Sequence, residues 1–327
     1  MSVKWHGCKS VPRKIKGGGP QGATLGIIEY LSQSNNSADC LSEEDRFKFV
    51  DDLTVLEIIN LLTIGISSFN LKQEVPNDIP THNQIIPAEH LQSQKWLDEI
   101  NAWTVNQKMQ INEKKTKTML FNFTDKYQFT TRLQLNNQTV EVIDHTRLLG
   151  TVISDDLKWN LNTASIIKKA NARMELLRKV ASFGASLEDL KTVYILFIRS
   201  LLEQSATVWH SSLSQDNIED LERIQKSACR VMLQEKYQGY KNALNKLDLF
   251  TLMERRENLC LNLALKCTKN SKRKQMFPRN KKKHDMNTRN PETFKVQFAN
   301  TDRLQKSPII YMQRLLNEYE NGIPEKS

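Results

Sequence analysis

Two adjacent carboxylates, Asp51 and Asp52, stand between the apolar runs Phe47-Lys48-Phe49-Val50 and Leu53-Thr54-Val55-Leu56. Apolar residues on both sides of paired acids predict a β-hairpin with the carboxylates at its turn. Unpaired charges are costly to bury, and a divalent cation would neutralise them. Carboxylate oxygens favour hard ions such as Mg²⁺ or Mn²⁺, and ions held this way suit in-line displacement at phosphorus. The plainer reading is a pair of solvated turn acids. Upstream, Gly17-Gly18-Gly19 runs into Pro20-Gln21-Gly22 and a helix-like stretch with Leu25, Ile28 and Leu31. Pro20 shapes a sharp turn, and Gly22 would let the backbone come close to a ligand. The plainer reading here is a glycine-rich linker ahead of a helix.

Taken together and in this order, the two motifs resemble the palm of reverse transcriptases, in particular the non-LTR (LINE-type) retrotransposon enzymes. Pro20-Gln21-Gly22 resembles motif B, which contacts template and nucleotide, and Phe49-Val50-Asp51-Asp52 resembles motif C, whose aspartates bind the catalytic ions. Ile111-Asn112-Glu113-Lys114-Lys115-Thr116 resembles motif D, and the resemblance makes Lys115 the general acid that protonates the pyrophosphate leaving group. An ammonium there could both pair with the departing phosphate and donate a proton. A solvated lysine in a basic turn is the alternative. Arg147-Leu148-Leu149-Gly150-Thr151 resembles motif E, the primer grip, with Leu148, Leu149 and Gly150 positioning the primer end. Taken on residues alone it is a β-strand with a glycine bulge. Leu202–Trp209 and Leu221–Ala228 resemble stretches of the family's thumb, where His210 reads as structural, and Phe294 to Leu316 resembles its C-terminal end.

These motifs need elements to hold them. The sequence predicts a helix from Ala88 to Met109, with Trp96, Ile100 and Trp103 facing a core, then strands at 118–123, 132–135, 139–143 and 147–153. Asn136-Asn137 predicts a hairpin turn between two of them. Beyond Trp159 the period becomes helical. Three apolar stripes, 166–180, 187–201 and 218–232, and a fourth helix near 251–267 predict a bundle. Lys266–Arg289 carries Lys272, Arg273, Lys274, Lys281, Lys282 and Lys283 against the single acid Asp285, and reads as loosely ordered and nucleic-acid-binding. Residues 1–16, 69–88 and 268–292 read as irregular.

The resulting expectation is an α+β fold: a partial palm over 1–156, a helical thumb-like domain over 157–268, and a basic, loosely ordered tail over 269–327. A net charge of +10 favours a polyanionic partner. Five cysteines without a CxxC argue against a disulfide framework or a zinc knuckle. No signal peptide or bilayer-spanning run is present, which fits an intracellular protein of nucleus or cytoplasm. The resemblance implies an RNA template, a DNA primer, deoxynucleoside triphosphates and Mg²⁺ or Mn²⁺ as partners and cofactor of the intact enzyme. It also implies a third carboxylate from motif A, ahead of motif B, and residues 1–16 contain no Asp or Glu. These residues alone are therefore expected neither to hold the ions tightly nor to polymerise. The rival expectation is a non-catalytic, basic nucleic-acid-binding remnant or an interaction protein.

Overall fold

The computed structural model describes residues 4–5, 8–9, 46–49, 52–57, 83–86, 91–123, 128–280 and 293–322. It mixes helix with small two-stranded sheets, an α+β arrangement. The chain divides into two compact units, Met1–Ile143 and Asp144–Ser327.

In the first unit, β1 (Lys4–Trp5) pairs with β2 (Cys8–Lys9), and β3 (Arg46–Phe49) runs antiparallel to β4 (Asp52–Val55). β5 (Asn83–Ile86) is parallel to β7 (Gln128–Thr131), and β6 (Lys117–Thr118) is parallel to β10 (Glu141–Val142). β8 (Gln134–Leu135) and β9 (Gln138–Thr139) form a hairpin. Its link is Asn136-Asn137, both left-handed with φ of 50° and 63°. Asparagine tolerates that region better than other side chains, so the predicted turn forms here. The strand expected over 118–123 is only two residues long, Lys117–Thr118.

Among the described residues of this unit, helix α1 (Gln92–Asn106) packs on part of this strand set. Ile100 is buried and meets Leu53, Val55, Trp96 and Ile111. Leu91, Leu133, Leu135 and Val140 make a second small core, with Leu97 and Ile111 against it. Both tryptophans of α1 are half-buried, as their helical spacing predicts.

The second unit opens with β11 (His145–Leu148) antiparallel to β12 (Thr151–Ser154). Helix α2 (Asn160–Ser182) follows. The buried Asn162 side chain of α2 accepts from the Val152 amide at 3.1 Å, which ties the strand pair to the helix. The division of the chain thus falls before this pair. The sequence boundary was expected after it, because short strands were read as palm.

Next come α3 (Leu187–Val193), a π-helical turn (Tyr194–Arg199), α4 (Ser200–Glu203) and α5 (Ala206–Trp209). Then follow α6 (Gln215–Leu233), α7 (Tyr240–Leu247) and α8 (Leu252–Lys269). Ser186 and Ser214 cap α3 and α6, and Thr251 with Glu254 forms a capping box on α8. The three predicted stripes meet in one core: Ala170, Met174 and Leu177 of α2, Tyr194 and Ile198 of the π turn, and Leu221 and Ala228 of α6. Each buried leucine there contributes about 1.5–3 kcal/mol.

The described part of the expected tail is packed rather than loose. Helices α9 (Asp302–Gln305) and α10 (Pro308–Glu320) end the chain's described residues. Met312 and Leu316 of α10, with Phe277 and Phe294, cover Cys260, Ala264 and Cys267 of α8. The Asn317 amide accepts from Phe294 N at 2.8 Å and donates to its carbonyl at 3.0 Å, acting as a strand partner. Lysine density concealed this apolar spacing from the sequence reading.

Candidate functional site

β3 and β4 pair with Phe49 opposite Asp52. Phe49 ends the first of these strands and Asp52 begins the second. The conformation of Asp51 itself lies outside the described residues, as do those of Pro20, Gln21, Gly22, Lys281, Lys282 and Lys283. Contacts of three residues, Leu53, Val55 and Glu57, fix where β4 lies in the first unit. Leu53 and Val55 of β4 pack on Ile100 of α1. The Glu57 carboxylate then accepts from the Gln92 and Ser93 amides at 2.9 and 2.8 Å. Leu91, at the N-cap position, has no side chain to do this, so an acid from the distant strand satisfies the first turn of α1.

Lys115 lies on the turn that follows α1 and is exposed. Its amide is held by the Asn112 carbonyl at 3.1 Å and the Asn112 side chain at 3.2 Å. Ile111, just before this turn, belongs to the same cluster as Leu53, Val55 and Ile100. A further polar chain runs from Asn101 of α1 through Asn136 to Glu113. The strand that begins with Asp52 and the loop that carries Lys115 thus share one anchorage. Among the described residues, no group of three or more His, Cys, Asp or Glu could hold a metal ion.

Leu148, Leu149 and Gly150 lie in the second unit, at the tip of the β11–β12 hairpin. Leu149 and Gly150 have φ of 47° and 88°, a two-residue turn rather than the continuous bulged strand the sequence suggested. A leucine in the left-handed region hid the turn, since Asn or Gly is the usual signal. A Cβ on Gly150 would lie 2.6 Å from Nε2 of Gln204, so the tip sits directly against the segment after α4.

Lys272, Arg273 and Lys274 occupy an ordered turn after α8, where the Asn270 side chain accepts from the Lys272 and Arg273 amides at 3.1 Å each. A cleft of about 610 Å³ opens beside them, lined in part by Lys274, Arg279, Phe277 and Phe294. Arg279 stacks over Phe294 at 4.8 Å and pairs with Glu320 at 2.8 Å, so its charge is already balanced.

The second unit also buries polar groups that the sequence reading passed over. Gln225 is fully buried, accepts from Tyr194 and donates to Tyr240 and to the Phe250 carbonyl. Glu222 accepts from Tyr240 and from the Leu252 amide. Arg256 is 0% exposed, and its Nε donates to Nδ1 of His210 at 3.3 Å. His210 is 5% exposed and sets its ring edge-on to Tyr311. Burial, aided by the Arg256 charge, brings His210 down to about 4, so it is neutral at pH 7. A structural role for His210 stands, with an arginine for partner. Arg256 was legible in principle: it fills the i+4 slot of the stripe Leu252, Cys260, Ala264.

Comparison with protein-family models, with curated proteins and with solved structures yields no match. Among the described residues, no helix is long and apolar enough to cross a membrane.

Proposed function

We propose that this chain carries palm motifs B to E and the thumb of a non-LTR retrotransposon reverse transcriptase, whose chemistry is RNA-templated DNA synthesis. The observation that supports this most is the β3–β4 register, in which Arg46–Phe49 and Asp52–Val55 run antiparallel with Phe49 opposite Asp52. A strand that begins at Asp52 and is seated against α1 through Leu53 and Val55 suits ion binding better than a solvated loop does.

Asp51 and Asp52 offer hard oxygens, the donor chemistry that Mg²⁺ or Mn²⁺ requires, and they would hold the ions. When bound, the ions stabilise charge developing on the transferring phosphoryl group. The chain's own residues do the rest. Pro20, Gln21 and Gly22 line the nucleotide and template site. Lys115, on an exposed turn anchored through Ile111, delivers a proton to the leaving pyrophosphate. Leu148, Leu149 and Gly150 support the primer end. Lys272, Arg273 and Lys274, on their ordered turn, with Lys281, Lys282 and Lys283 beyond it, contact nucleic-acid phosphates. Two carboxylates are fewer than the chemistry needs, so residues 1–327 alone are expected to be inactive.

The test is primer extension on an RNA template, with the chain joined to an N-terminal strand that bears a third carboxylate. Extension should appear, and Asp51→Asn should abolish it without unfolding the protein. Full activity in that variant would sink the motif C assignment. Templated extension by residues 1–327 alone would show that no third carboxylate is needed.

A further inference from the structure

The C-terminal part of the second unit carries a short ribbon with one covered edge and one open edge. Arg279 and Phe294 face each other across an antiparallel bridge. Their neighbours close it: the Asn280 amide donates to the Thr293 carbonyl at 2.9 Å, and the Lys295 amide to the Pro278 carbonyl at 2.8 Å. Arg279 and Phe294 are therefore a non-hydrogen-bonded pair, and the N–H and C=O of each point away from the ribbon, to opposite sides. On the Phe294 side α10 covers them. The Asn317 side chain takes both groups of Phe294, and one turn earlier Gln313 accepts from the Gln297 amide at 2.9 Å. On the other side, no described group accepts from the Arg279 amide or donates to its carbonyl.

The cleft of about 610 Å³ adjoins the strand with the open edge, because Pro278 and Arg279 both line it. Phe277 and Phe294 give it an apolar wall, and Ser271 and Lys274 are among its polar groups. No acid lines it. Arg279 is balanced by Glu320, whereas Lys274 is exposed and meets no acid among the described residues. The cleft thus has one uncompensated cation beside an unpaired backbone edge.

We propose that the Arg279 edge and this cleft dock an extended segment of a protein partner that carries an acidic side chain. The segment adds a strand to the ribbon. Its backbone pairs with the Arg279 N–H and C=O, and its acid enters the cleft toward Lys274. An open strand edge is a template for another chain, and side chains alternate along the added strand, so one face of it meets the cleft. Two features favour a peptide over a nucleic-acid strand. The edge offers a donor and an acceptor side by side, which an extended backbone matches, and the cleft wall is apolar. Lys274 is shared with the phosphate contacts proposed above, so RNA and the peptide compete for it. The docking itself needs no polymerase chemistry.

The experiment is fluorescence anisotropy with the full chain and a labelled, end-blocked peptide of alternating valine and threonine around a central aspartate. The parent should bind it saturably, and the peptide should slow hydrogen exchange of the Arg279 amide. The same peptide with lysine at its centre should bind at least about tenfold more weakly, and Lys274→Glu should reverse that preference. Arg279→Pro removes the outward donor and leaves both ribbon hydrogen bonds intact; it should weaken binding about tenfold relative to Arg279→Ala, which keeps the amide. Equal binding by these two folded variants would overturn the strand pairing. Should Arg279→Pro misfold, the peptide N-methylated throughout decides: it keeps the side chains and loses every backbone donor, and undiminished binding refutes the proposal. A parent chain that ignores the aspartate peptide would also refute it, as would an RNA oligonucleotide that protects the Arg279 amide where the peptide does not. None of these readouts involves nucleotide incorporation, so they stand whatever the primer-extension result.

Discussion

Acidification should destabilise the second unit through His210. Its ordinary value is 6.5, and in the folded chain it falls to about 4, with burial as the main cause and Arg256 as the second. Between those two pH values the unfolded chain binds a proton that the folded chain refuses. Stability must then rise with pH across the window and fall as pH drops from about 6.5 to about 4. Each pH unit is worth about 1.4 kcal/mol, so the loss attributable to His210 is about 3 kcal/mol by pH 4. Little discount for solvent applies, because the ring is 5% exposed. Arg256, on α8, and Tyr311, on α10, face the ring, and Glu257 accepts from Tyr311 at 3.2 Å. His210→Gln keeps an acceptor for Arg256 and removes the titration. Urea unfolding of parent and variant, followed by far-UV circular dichroism at several pH values, isolates the difference from all other titrating groups. The parent should lose about 3 kcal/mol more than the variant across the window. Parallel stability curves would refute a buried, neutral His210.

Other perturbations follow from the same contacts. Gly150→Ala should cost about 1–2 kcal/mol, chiefly because φ is +88° there; the Gln204 side chain nearby can move aside, and the melting temperature reads the loss. Glu57→Ala should remove the acceptor for the Gln92 and Ser93 amides and cost about 1 kcal/mol, with faster hydrogen exchange in the first turn of α1. Limited proteolysis should spare 308–320 along with the stripes 166–180 and 187–201, since Met312 and Leu316 pack on α8. Early cleavage within α10 would contradict that packing.

Much of this architecture can be read from residue spacing, and the failures have physical causes. The α2, π-turn and α6 stripes were legible because a helix that buries one face must repeat its apolar residues with the helical period. Asn136-Asn137 was legible because those residues favour the left-handed region the turn requires. The turn at Leu149-Gly150 was not, since leucine rarely adopts a φ of 47° and carries no turn signal. The packed C-terminal segment was missed because exposed lysines dominate its composition, while Phe277, Phe294, Met312 and Leu316 lie far apart in sequence and meet only on α8. The antiparallel pairing of Arg46–Phe49 with Asp52–Val55 was legible from the apolar runs on either side of the acids. Its seat was not, because Glu57 capping α1 is a long-range contact with no local spacing to announce it.

The most direct measurement of the central claim is Mn²⁺ binding, read from the electron paramagnetic resonance signal of free ion. The protein is the chain joined to a strand with a third carboxylate, assembled with an RNA template, a DNA primer and a nucleotide. Binding should saturate at about two ions per protein, and the Asp51→Asn, Asp52→Asn variant should lose them while still binding the primer–template. Unchanged Mn²⁺ binding in that variant would contradict the assignment of these two carboxylates as the metal site.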